Sequence, residues 1–182
     1  MTWTIEPLPV NGPLFEGAIA VYSAAFAEPP YSDPDRGSEI RNRLRDVHSR
    51  RPGFRAFAAI VEPGSVAGMT YGYTGEAGQW WHDSVRRRLQ PDGVRSWLER
   101  SYELVEVAVA PAHQGRGIGA ALIGCLLGGR PESTCVLSTR IDSRAHLLYR
   151  RLGFEVITAM PFAENGALFY VMGKRLGEPE HS

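Results

Sequence analysis

The chain has 182 residues, 43% hydrophobic and 22% charged, with 20 basic and 20 acidic side chains and a formal net charge of zero. That length suits one domain, 1–182, with a sizeable core, and the charge balance gives no reason to invoke nucleic acid or a membrane surface as partner. No run approaches the ~20 apolar residues of a membrane span.

Thr2–Pro7 predicts a short opening strand. It is not followed by a legible leader, because the helix-like stretch Leu14–Ala27 has no basic segment before it. In that stretch Leu14, Ala18, Val21, Tyr22, Ala25 and Phe26 recur at helical spacing. Pro29, Pro30 and Pro34 then force a loop that carries Tyr31, Asp33 and Asp35. A second helix is expected over Gly37–Ser49, with Ile40, Leu44 and Val47 inward. Phe54–Glu62 and Val66–Thr74 predict a strand pair joined at Pro63-Gly64. Residues 75–100 hold Trp80, Trp81, His82 and Trp97, with short helices expected at 83–90 and 93–100. Arg86, Arg87 and Arg88 read as a solvated helix face.

Tyr102–Ala110 is the clearest strand. A glycine run follows, then a helix over 117–128 that carries Ile118, Leu122, Cys125 and Leu126 on one side. A strand at 134–139, a helix at 143–152 and strands at 154–158 and 168–174 complete the order, with a loose tail at 177–182. The pattern predicts a mixed α/β fold with one sheet covered by helices. Cys125 and Cys135 both read as core residues. No CxxC or histidine cluster accompanies them, so no metal is expected and a reduced, cytoplasmic setting is the default. His113 reads as an exposed loop residue and His146 as a helix-surface one.

Gly115, Gly117 and Gly119 sit where a strand runs into a helix. Free amides and the positive end of the helix dipole make such a turn a pyrophosphate site. Arg116 can add charge. Three schemes compete. The P-loop needs Lys-Ser/Thr after the glycines, which is absent here. Gly115 to Ala120 matches the dinucleotide pattern GxGxxA, but the link Pro111–Gln114 is long for it and no acidic ribose partner follows. The third scheme is a resemblance. Gln114-Gly115-Arg116-Gly117-Ile118-Gly119 is similar to the Q/R-x-x-G-x-G/A signature of the GNAT superfamily of N-acetyltransferases. "LVEVAVAP" upstream resembles the strand before that loop. "AHLLYRRLGF" at 145–154 resembles the family's second motif. The likeness covers about 102–158.

The resemblance implies an α/β fold with a mixed, mostly antiparallel sheet, splayed at the central strand and flanked by helices on both faces. It implies acetyl-CoA as co-substrate, its pyrophosphate on the amides of Gln114, Gly115, Arg116, Gly117, Ile118, Gly119 and Ala120. The pantetheine arm would pair with Val107, Ala108 and Val109 as an added strand. Asp142 stands where the family often has an Asn that hydrogen-bonds this arm, and an ionised carboxylate cannot donate. The acceptor side would comprise about 14–50 and 75–100, with Tyr31, Asp33, Trp80 and Trp81 as candidates for binding an amine. The acceptor itself, a small molecule or a peptide, stays open, and a homodimer is compatible with the family.

Transfer to an amine needs a base for the ammonium, a donor for the growing oxyanion and a proton for the leaving thiolate. Strand alternation puts Glu103 on one face and Glu106 on the other. A carboxylate in an apolar central strand is costly unless paired, wet or used. Glu103 lies eleven positions before Gln114, where some family members place the base, so it is the first candidate and Glu106 the second. The competing reading is a structural ion pair, with Arg140 or Arg144 as partner. Tyr149 matches the family tyrosine near the CoA sulfur, a general acid, although its helix spacing also suits a core residue. The backbone amide of Val109 or of a neighbour would serve the oxyanion. A non-catalytic acyl-CoA-binding module is the alternative to an enzyme.

Overall fold

The computed structural model describes residues 2–62 and 64–177. Seven strands form one sheet among these residues: β1 (Trp3–Pro7), β2 (Arg55–Val61), β3 (Ser65–Thr74), β4 (Ser101–Val109), β5 (Thr134–Arg140), β6 (Glu155–Pro161) and β7 (Leu168–Arg175). Their order is β1-β2-β3-β4-β5-β7-β6. The pairs β1–β2, β2–β3, β5–β7 and β6–β7 are antiparallel. The β4–β5 pair is parallel, as a strand–helix–strand crossover requires. Among the described residues six α-helices accompany the sheet: α1 (Gly12–Ala27), α2 (Arg36–Asp46), α3 (Trp80–Arg88), α4 (Pro91–Trp97), α5 (Ile118–Leu127) and α6 (Ala145–Arg151). The chain forms two compact units, one of residues up to Tyr73 with Leu104–Gly128, the other of Thr74–Glu103 with residues from Gly129 on.

In the first unit, side-chain alternation gives the sheet two apolar faces. Phe15, Ala18, Ile19, Tyr22 and Phe26 of α1 and Ile40 and Leu44 of α2 cover Ala58, Met69, Tyr71 and Ala108. Ile118 and Leu122 of α5 cover Ala59, Val61 and Ala67 on the other face, with Val107 and Val109 beside them. Each fully buried Leu, Ile or Phe here contributes roughly 1.5–3 kcal/mol. Gly68 lets α5 lie close: a Cβ there would come within 3.0 Å of Leu122 Cδ1 and 3.1 Å of the Ala108 carbonyl oxygen. Arg55 Nη1 donates to the carbonyls of Leu126 and Gly128, at 3.2 and 2.7 Å, and so satisfies the last turn of α5.

In the second unit, Trp81 and Val85 of α3, with Trp97 and Leu98 at the end of α4, pack on Val136, Met160 and Val171. Gly173 must be glycine for Trp97 to fit, since a Cβ would sit 2.5 Å from the indole ring. A left-handed Gly153 (φ +90°) ends α6, where the Phe154 amide donates to the Tyr149 carbonyl at 3.0 Å.

Several expectations are corrected. α3 starts at Trp80 instead of 83, because the Asp83 carboxylate accepts the Gly78 amide at 3.0 Å and fixes the entry to the helix. α4 covers Pro91–Trp97, starting at a proline suited to a first turn. Cys125 is exposed: α5 turns Ile118, Leu122, Ile123 and Leu126 inward and leaves Cys125 outside. Val47, expected inward, is 48% exposed, because α2 stops at Asp46 and the chain turns there. His113 and His146 are half-buried, His146 lying edge-on to Tyr170 at 5.5 Å. Pro63 of the expected turn, and the tail from 178, lie outside the described residues.

Candidate functional site

The glycine run occupies the link from β4 to α5. The Ala110 amide donates to the Ala67 carbonyl at 2.8 Å, Pro111–His113 makes a single 3₁₀ turn, and Gln114 Nε2 donates back to the Val109 carbonyl at 3.1 Å. Gly115 (φ +75°) and Gly117 (φ +82°) are left-handed, and Gly117 is the residue that caps α5. Both are exposed, and a Cβ on either would meet no protein atom within 4 Å. Internal packing therefore does not require them; the backbone conformation does. The first helical amides, Ile118 to Ala120, have no partner within α5 by helix geometry. Arg116 is exposed beside them, and buried Ile118 anchors the turn to the core. The result is an open cluster of donors at the positive end of a ten-residue helix, suited to a phosphate.

On β4, Val107 and Val109 pack toward α5, and Ala108 is buried toward α1. The parallel ladder to β5 pairs Ser101, Tyr102 and Glu103 with Thr134, Cys135 and Val136, and ends there. Glu106 faces α1 and α2. Tyr22 donates its hydroxyl to Glu106 Oε1 at 3.0 Å, and Arg36 Nε donates to the Tyr22 oxygen at 2.7 Å. Arg36 Nη2 lies 3.9 Å from the same Oε1. Burial pushes the Glu106 carboxyl above its ordinary value, while Arg36, Tyr22 and Arg43 oppose the rise. Burial and the Glu106 charge push the Tyr22 phenol well up. Glu106 is thus ion-paired, as the competing reading has it, but with Arg36 instead of Arg140 or Arg144. Nothing in linear spacing links residues 22, 36 and 106. The legible hint was a tyrosine on the inner stripe of α1.

Tyr31 is half-buried, edge-on to Phe26 at 4.6 Å. The Asp33 amide donates to the Phe26 carbonyl at 2.9 Å and closes the loop between α1 and α2. Arg36 lies over both rings, 4.6 Å from Phe26 and 5.2 Å from Tyr31.

In the second unit Glu103 is buried, opposite Val136 in the ladder. Tyr149 is buried on α6, edge-on to Phe154 at 5.8 Å. Asp142 is exposed and accepts from Arg140 at 2.9 and 2.7 Å; those bonds hold its carboxyl below the ordinary value, so it stays an acceptor. The two tryptophans part company. Trp80 is 63% exposed, against Phe162 at 5.6 Å. Trp81 is a core residue whose Nε1 donates to Ser138 Oγ at 2.9 Å.

A family model described as an acetyltransferase (GNAT) domain matches residues 58–156. A GCN5-like protein acetyltransferase of Mycobacterium tuberculosis is 34% identical over 87% of this chain and 90% of its own. A histone acetyltransferase HPA2 and related acetyltransferase structure from Corynebacterium glutamicum superposes with a TM-score of 0.69 at 21% identity, over 99% of both chains. The NatC complex bound to Gag peptide and CoA gives 0.61 at 15% identity, over 97% of this chain and 100% of that one. With the glycine turn opening α5 and the family match through β2 to β6, the chain belongs to the GNAT acetyltransferase family.

Proposed function

We propose that the protein moves an acetyl group from acetyl-CoA to a primary amine by direct attack in a ternary complex. The observation that carries this reading is the turn of Gly115 and Gly117, left-handed and open, at the start of α5. Its amides and Arg116 would hold the pyrophosphate. Val107 to Val109 would pair with the pantetheine arm. Acetyl-CoA supplies the thioester that is broken as the new amide forms.

Glu103 takes the proton of the acceptor ammonium, directly or through water, since an alkyl amine is charged at neutral pH. The Val109 amide donates to the carbonyl oxygen as negative charge builds. Tyr149 gives its proton to the departing sulfur and is restored, through solvent, by the second proton that the nitrogen sheds as it becomes an amide. Tyr31, Asp33 and Trp80 are the acceptor-binding candidates; burial of Trp81 in the core favours a supporting role for it. The M. tuberculosis relative is a protein acetyltransferase, which favours a peptide or protein amine over a small molecule.

The test has two arms. Calorimetric titration with acetyl-CoA gives one site per chain, and the ligand raises the unfolding temperature. Free-thiol release is then followed with peptides, amino acids and polyamines. Binding without release for any amine would leave an acyl-CoA-binding module. Absence of binding would refute the reading.

A further inference from the structure

Glu106 and Arg36 form a unit that the roles above leave unused. The carboxylate lies on β4 with 14% of its side chain exposed, and both of its partners reach the same oxygen, Oε1. Arg36 is the first residue of α2, directly after the loop that carries Tyr31 and Asp33. Its guanidinium is gripped on several sides: Tyr22 accepts from Nε, Glu106 faces Nη2, and Phe26 and Tyr31 stack on it. Tyr22 and Phe26 are themselves stacked at 4.4 Å. A surface arginine that only began a helix would not need this.

We propose that Arg36 is a positioning residue that pins the α1–α2 loop to β4 through Glu106, so that acceptor binding depends on it and acetyl-CoA binding does not. The inference rests on the reading that this loop receives the acceptor. Two cations on α2, Arg36 and Arg43, act on the carboxylate; Tyr22 from α1 and Tyr71 from β3 are the phenols coupled to it. Losing Arg36 removes the nearer cation and the clamp in one step. Lys keeps the charge but has neither the planar fork nor the ring-stacking surface.

The experiment uses the full chain with Arg36→Met and Arg36→Lys. Hydrogen exchange across residues 28–35 is measured first. The Met variant should exchange roughly tenfold faster there, a loss of about 1.4 kcal/mol of local stability, with amides 118–127 unchanged. Carboxyl-carbon NMR of Glu106 should show titration at higher pH in the Met variant, with Lys restoring the wild-type value in part. Calorimetry should give unchanged acetyl-CoA affinity. With the best peptide amine of the panel, KM should rise roughly tenfold in the Met variant at similar kcat. Unchanged exchange and an unchanged Glu106 titration would overturn the clamp. A wild type that releases no thiol would sink the enzymatic reading, while exchange and titration would still decide the clamp. Weaker acetyl-CoA binding in the Met variant would contradict the separation proposed.

Discussion

Tyr22 and Glu106, 84 positions apart in the chain, share a hydrogen bond of 3.0 Å that joins α1 to β4. Tyr22→Phe removes the donor and leaves Arg36 Nε without its acceptor. Chemical denaturation should give a loss of about 1–3 kcal/mol with no change in slope. The pH dependence has a definite sign. Burial raises the native carboxyl above the ordinary 4.5, so its contribution is fully present below that value and is lost as pH rises through the native one. Glu106→Gln removes this component, so the difference between variant and wild type should shift in the variant's favour as pH rises from 4 toward 7.

A second titration runs the other way. His48 is 6% exposed, its Nδ1 2.9 Å from the Tyr71 hydroxyl. Burial, helped by Arg51 and Arg43, pulls it from 6.5 down to about 3. The unfolded chain therefore binds the proton more tightly between those values. Stability from this group is present above pH 6.5 and falls with acid by about 1.4 kcal/mol per pH unit until the native value is reached. Thermal unfolding of His48→Gln should show a shallower loss between pH 6.5 and 4. An unaltered slope would assign the acid sensitivity elsewhere.

Features carried by repeat spacing or by glycine were legible in the sequence, and those carried by specific polar contacts or by the placing of a face were not. The helix over α1 was readable because Tyr22 and Phe26 repeat at one turn's spacing, and the glycine turn because Gly115 and Gly117 need a left-handed backbone. The start of α3 was not, because it depends on Asp83 reaching back to Gly78. Nor was the exposure of Cys125, since a two-turn stripe does not say which edge the sheet covers. The Tyr22–Glu106–Arg36 cluster joins three distant elements, and no periodicity carries that information.

Gly117 separates backbone strain from steric blocking. At φ +82°, Gly117→Asn is tolerated better than Gly117→Val, because Asn enters the left-handed region more readily. Strain should cost the Val variant about 1–3 kcal/mol and the Asn variant less. Neither side chain's first atom meets protein within 4 Å, so any loss of acetyl-CoA affinity that both share reports the pyrophosphate site. Calorimetry on the two variants, each checked for folding, separates these effects. Full affinity in Gly117→Asn would move the phosphates away from this turn.

Glu103→Gln should lower kcat/KM by about 10²–10⁴-fold at neutral pH, with acetyl-CoA affinity nearly unchanged. Its deficit should shrink as pH approaches the amine's own pKa, because the acceptor then arrives deprotonated. Tyr149→Phe should keep its deficit at high pH and recover only with a better leaving thiol. A Glu103→Gln enzyme with the wild-type pH–rate profile would hand the base role to Glu106.

Acetyl transfer itself is tested most directly by mass spectrometry of one reaction mixture of protein, acetyl-CoA and peptide amines, quantifying CoA and acetylated peptide together. One acetylated amine is expected for each CoA formed, with both products falling together in Glu103→Gln. CoA formed without an acetylated amine, or acetyl-CoA bound and left intact in the presence of every amine, would contradict it.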